Sequence, residues 1–132
     1  MTVIAVLLGG LLGTGLRLAI GTVLPNGDTV FPVATLVINV VGSFVLGFLV
    51  ARVWPTAPAW LRGGLGTGVI GSFTTFSALM VSLVTLTHAG MPLLALLYLV
   101  VSIVGGLAAA LLGLRLGAPA GPLPAPPLDV DE

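Results

Sequence analysis

The residues of this chain best suited to chemistry are neutral hydrogen-bond donors set at helical spacing. Thr35, Asn39 and Gly42-Ser43 fall at i, i+4 and i+7/i+8, one face of a 3.6-residue period. Tyr98, Ser102 and Gly106 fall at i, i+4 and i+8 on one face of a second segment. Together the two faces offer an amide, hydroxyls and a phenol, with no charge among them. Such donors serve one of two ends in apolar surroundings. They hydrogen-bond between helices, at about 1 kcal/mol per contact, or they line a path for a polar solute or an anion.

A third segment, Gly71-Ser72-Phe73-Thr74-Thr75-Phe76-Ser77, makes a poor helix interior. Glycine and β-branched threonine weaken the helix, and serine and threonine compete for backbone hydrogen bonds. A break here frees carbonyl oxygens that protein or a bound ion must satisfy. A continuous helix with its hydroxyls bonded back to the preceding turn is the alternative. Arg17 is the one cation well inside an apolar run. It reads equally as snorkelling to the nearer interface, as a helix cap, or as the mouth of an anion vestibule, where positive charge concentrates anions.

Other chemistries lack their residues. There is no cysteine, so thiolate ligands and cysteine nucleophiles are absent. The single histidine, His88, stands at a helix end with no carboxylate near it in sequence, and it reads as an interfacial residue rather than a catalytic one. Enzymatic activity is not expected. A formal net charge of zero gives no reason to expect a nucleic-acid partner.

The elements that must position the donors are membrane spans. Of 132 residues 58% are hydrophobic and 6% charged, with a mean hydropathy of +1.26, whereas a soluble domain carries roughly 25% charged residues. Four apolar segments, about 3–24, 31–53, 60–87 and 92–116, each exceed the ~20 residues that cross a bilayer. Pro25-Asn26-Gly27-Asp28, Trp54-Pro55-Thr56-Ala57-Pro58 and His88-Ala89-Gly90 separate them, and Pro92 suits the first turn of the fourth. Trp54, Trp60 and, rather deep, Tyr98 are candidate interfacial anchors. Residues 117–132, rich in proline, glycine and alanine with an acidic end, read as a disordered tail. The N-terminal run is too long and lacks the basic flank of a signal peptide, so it reads as a retained span.

Nineteen glycines in so apolar a chain point to close helix packing; Gly9/Gly13 and Gly64/Gly68 form small-xxx-small pairs. Four spans hardly enclose a polar path alone, so at least a dimer is expected. Four spans also bring both termini and the second loop to one side, with Arg52, Arg62 and Arg115 against Arg17 on the other. This bias favours cytoplasmic termini.

Taken together these segments resemble the Fluc (CrcB) family of bacterial fluoride channels. Gly9-Gly10-Leu11-Leu12-Gly13-Thr14-Gly15-Leu16-Arg17 is similar to its GGxxGAxxR opening. Thr35-Leu36-Val37-Ile38-Asn39-Val40-Val41-Gly42-Ser43-Phe44 followed by Gly47 resembles TLxVNxxGSF…G. Gly71 to Ser77 resembles GGFTTFS, and Tyr98-x3-Ser102 the polar track of the fourth helix. The resemblance covers all four spans. It implies an all-α integral membrane protein whose third helix is broken near mid-membrane, assembled as an antiparallel dimer in the inner (plasma) membrane. It further implies passive export of cytoplasmic fluoride past Asn39 and Phe76, with Thr35, Ser77, Tyr98 and Ser102 lining or supporting the path. A structural sodium ion would sit on the backbone carbonyls of Gly71 and Thr74, and Arg17 would be the family's first-helix arginine.

The chain departs from the pattern in three places. Leu79 stands where a second phenylalanine is usual, Ser72 replaces a glycine, and Gly106 stands where another hydroxyl is common. With the arginine bias, this raises the hypothesis that the partner is a paralogous subunit rather than a second copy, so that both homodimer and heterodimer stay open. A proton-coupled small multidrug carrier is a rival, but it needs a carboxylate inside a span, and Asp28 in a loop is the nearest on offer. A purely structural membrane subunit is the other alternative.

Overall fold

In lipid each helix must satisfy its own backbone, because no water competes for the peptide groups. A computed structural model describes residues 1–24 and 31–119, and among these all regular structure is helical. Helix α1 spans Thr2–Val23 and α2 Val33–Arg52, the latter entered through Pro32. The third span runs Ala59–His88 and is composite. It consists of α3 (Ala59–Arg62), a π-helical segment Gly63–Ile70, α4 (Gly71–Phe73) and α5 (Phe76–His88). Helix α6 spans Pro92–Gly117 with proline in its first turn. All four spans are long and apolar enough to cross a membrane. The expected turn at Pro25–Asp28 and nearly all of the expected tail lie outside the described residues.

The turn between α5 and α6 is closed by a Schellman motif. Gly90 adopts φ +76°, which a Cβ would penalise. Its N–H bonds the Thr87 carbonyl at 3.1 Å, and the Met91 N–H bonds that of Leu86 at 2.9 Å. Met91 and Leu86 then pack in one cluster, the apolar contact that commonly accompanies the motif.

Packing follows from where Cβ atoms are missing. A Cβ on Gly9 would strike the Gly64 carbonyl, and one on Gly68 would meet the Val6 carbonyl at 2.8 Å, so α1 lies directly on the π-helical segment. A Cβ on Gly47 would strike the Ala110 carbonyl, and one on Gly113 the Phe44 carbonyl, so α2 lies directly on α6. In both pairs contacts advance in the same direction along the two chains, which makes each pair parallel. The third span changes partner at its break: the part before it packs on α1, and α5 packs mainly on α6.

The π-helical segment was not foreseen from the sequence. Four of its eight residues, GGLGTGVI, are glycine, which removes side-chain crowding from a wider turn. The Gly71 N–H reaches back to the Gly66 carbonyl, five residues earlier. Trp54 lies over Gly66, where a Cβ would come within 2.9 Å of its ring. Trp60 is exposed, as an interfacial anchor should be, but Tyr98 is fully buried at 0% exposure. Tyr98 is therefore a core residue and not an anchor. Its ring meets that of Phe31 edge to face, with centroids 5.3 Å apart.

Candidate functional site

The third span breaks at Thr74 and Thr75, whose backbones are extended (ψ 153° and 115°). Thr75 caps α5: its Oγ1 accepts the Ala78 N–H at 3.2 Å. The same oxygen lies 3.2 Å from Ser77 Oγ. Asn39 reaches across from α2, its Oδ1 accepting the Thr75 N–H at 2.8 Å and its Nδ2 donating to the Thr75 carbonyl at 3.0 Å. One amide thus satisfies both backbone groups of the break residue, which is only 8% exposed. One N–H of Asn39 remains for another acceptor.

These bonds have a consequence for two carbonyls. In a continuous helix the Thr75 N–H would bond the Gly71 carbonyl, and the Ala78 N–H that of Thr74. Both donors are diverted, to Asn39 and to the Thr75 hydroxyl. The carbonyls of Gly71 and Thr74, at one break, are left without their helical donors. The third span is broken as expected and the alternative of a continuous helix fails, although two hydroxyls still bond back: Thr74 Oγ1 to the Ile70 carbonyl at 2.9 Å and Ser72 Oγ to that of Gly68 at 2.6 Å.

Ser72 also lies 3.1 Å from the Gly10 carbonyl of α1, so it ties the segment before the break to the first helix. Ser72→Ala should weaken this pair by about 1 kcal/mol, the value of an interhelical hydrogen bond in a bilayer. A denaturation midpoint shifted down with no change in anion selectivity is the expected readout.

Beside the break a cleft of about 260 Å³ is lined by Asn39, Ser43, Thr74, Thr75 and Phe76 among others. The Phe76 side chain is 73% exposed on the surface of the subunit, and Gly71 and Ser77 are exposed with it. Leu79 turns the other way and packs in the core with Leu86, Ala95 and Tyr98.

A second group of donors lies along the seam between α2, α5 and α6. The Tyr98 hydroxyl and Ser102 Oγ are buried without a hydrogen-bond partner. The hydroxyls of Ser82, Ser102 and Thr35 lie within electrostatic reach of the phenol. Leaving a buried hydroxyl unpaired costs about 1–3 kcal/mol, so these two hydroxyls are available to a polar solute that enters the seam. Arg17 is half-buried, on the face of α1 that carries Gly9 and Gly13 and one turn beyond the Gly13–Ser72 approach. That face packs on the third span.

Of the residues expected at the site, Asn39 and Phe76 meet at the cleft, with Gly71, Thr74 and Ser77 in the break beside it. Thr35, Tyr98 and Ser102 form the seam. Two residues escaped the sequence reading. Thr75 is the partner of Asn39, and its signal was the N-cap position ahead of an apolar run. Ser82 joins the seam, and its signal was the i, i+3, i+7 spacing of Leu79, Ser82 and Leu86 on one face of α5. Among the described residues no group of His, Asp or Glu could hold a metal, so a cation here would rely on backbone oxygens.

Comparison with known proteins gives a consistent result. A family model described as CrcB-like protein, Camphor Resistance (CrcB), matches residues 4–114. A relative from Halalkalibacterium halodurans named fluoride-specific ion channel FluC 2 is 40% identical over 118 residues, covering 88% of this chain and 85% of the relative. Fluoride-specific ion channel FluC of Xanthomonas axonopodis pv. citri is 41% identical over 112 residues, covering 83% and 84%. The protein of the same name from Pseudomonas fluorescens is 40% identical over 120 residues, covering 87% and 95%.

Proposed function

The chain belongs to the CrcB family, and from that membership we infer that it is a subunit of a fluoride-specific channel in the inner membrane. The family is one of channels, which are not a class of enzyme. The single observation that carries the reading is the row of uncharged donors from the Asn39 cleft to the Tyr98–Ser102 seam, with two of its hydroxyls buried and unpartnered. Fluoride is small and strongly hydrated, so donors at close range must replace its water shell. A fixed cation would hold it too tightly to release, whereas neutral donors and the positive edge of a phenyl ring attract without trapping. A negative-inside potential then drives the anion out, at about 2.3 kcal/mol per 100 mV.

The residues assigned to the path are Asn39, Phe76, Thr35, Ser77, Tyr98 and Ser102, with Arg17 near its mouth or in a structural role. Phe76 serves such a path only if something covers it; its exposure argues for a second subunit against the break, and the family resemblance implies that this subunit is oppositely oriented. The carbonyls of Gly71 and Thr74 suit a structural sodium ion, because oxygen dipoles without donors are what a hard cation needs. Bound there, sodium would supply the positive charge that holds the break open. If so, titrating sodium against constant ionic strength should stabilise the dimer by about 2.7 kcal/mol at a hundredfold excess over its dissociation constant. An equal response to N-methylglucamine would rule the site out.

The test of function is release of fluoride from liposomes containing the protein purified alone, after valinomycin sets the potential. Rapid fluoride release with chloride retained is the expected result, and it would mean that a homodimer suffices despite Leu79. Activity only on co-expression with a paralogue would establish the heterodimer. No fluoride release under either condition would leave the structural reading, and proton-driven drug transport would favour the carrier.

A further inference from the structure

Ser43 belongs to the polar face of α2 but has no task in the function above. Most hydroxyls near it are committed. Thr74 donates to a carbonyl four residues back, and Thr75 caps a helix. Among the described residues Ser43 Oγ makes no hydrogen bond to protein. It lines the cleft with Asn39 and Phe76, one turn, about 6 Å, along α2 from Asn39. On the opposite side it faces Gly106 of α6. A Cβ on Gly106 would lie 3.6 Å from Ser43 Oγ and within 4 Å of nothing else outside its own helix. Gly106 in turn stands one turn along α6 from Ser102, whose hydroxyl is buried and unpartnered. Ser43 thus opens on the cleft on one side and faces Gly106, one turn beyond Ser102, on the other.

We propose that Ser43 is a further fluoride donor, holding the ion in the Asn39–Phe76 cleft one turn beyond the level of Ser102, with Gly106 leaving the room it needs. The proposal rests on the channel reading, and wild-type flux in the same vesicles tests that reading separately. A hydrogen bond to a charged partner contributes about 1.5–3 kcal/mol, so Ser43→Ala should slow fluoride release by roughly tenfold or more. Ser43→Thr keeps the hydroxyl and should stay within about threefold of wild type.

The discriminating variant is Ser43→Ala with Gly106→Ser. It moves a hydroxyl to the facing helix, into space already open beside the vacated position. Recovery to within about threefold of wild type is expected, with the purified dimer's unfolding midpoint similar in all four proteins. Wild-type flux in folded Ser43→Ala would overturn the proposal. So would a folded double variant as slow as Ser43→Ala while Ser43→Thr conducts, because packing at position 43 would then explain the loss.

Discussion

Asn39→Ala should reduce fluoride release by about 100-fold or more, through two effects that add. The first is loss of the remaining amide N–H as a donor to the ion. The second is structural. Asn39 supplies both bonds to Thr75, and without it a buried N–H and a buried carbonyl lose their partners, at about 1–3 kcal/mol each. The cheapest remedy for the Thr75 N–H is the Gly71 carbonyl, its partner in a continuous helix. The break would then tend to close, taking that carbonyl from any cation and moving Phe76. Asn39→Asp separates the effects. It keeps the acceptor for the Thr75 N–H and hence part of the break, but puts a negative charge on the path of an anion. Loss of flux with a partial loss of thermal stability in Asn39→Asp, which keeps only the bond to the Thr75 N–H, and loss of flux with a larger loss of stability in Asn39→Ala, are expected from vesicle flux and unfolding of the purified protein. An Asn39→Ala protein conducting at half the wild-type rate would remove Asn39 from the site.

The second large effect concerns assembly of the fold, and neighbouring glycines provide its control. Gly9→Val should destabilise the subunit by at least about 3 kcal/mol, at the upper end of overpacking costs. The new Cβ would meet the Gly64 carbonyl and, at 3.0 Å, the Val69 nitrogen. Both are backbone atoms that cannot rotate aside. Gly10 is one residue further along the same helix, and a Cβ there meets nothing within 4 Å. Gly10→Ala should therefore be neutral or stabilise by up to about 1 kcal/mol through helix propensity. Denaturation in detergent or bicelles reads both. Equal effects of the two substitutions would mean that α1 does not rest on the π-helical segment.

Much of this architecture was legible in the chain itself, because the signals are local. The bounds of α1, expected at 3–24 and found at Thr2–Val23, follow from an apolar run and the residues that end it. The break at Thr74–Thr75 was foreshadowed by glycine and hydroxyl residues that weaken a helix wherever they occur. The α2 face of Thr35, Asn39 and Ser43 was visible because helical period alone places those residues together.

Tertiary structure alone decided how each polar group is committed. Asn39 and Thr75 are 36 residues apart, and nothing local to either says that one amide will satisfy both backbone groups of the other. Ser72 and Ser43 are the same residue type on similar helices, yet one is bonded to carbonyls and the other is free. The π-helical segment carries glycines where α1 and Trp54 approach it most closely, and that approach is not written in the segment itself. Helical period gives the face a residue occupies. The acceptor nearest a hydroxyl on that face is set by how closely the next helix approaches, which is a property of the assembled spans and not of any one of them.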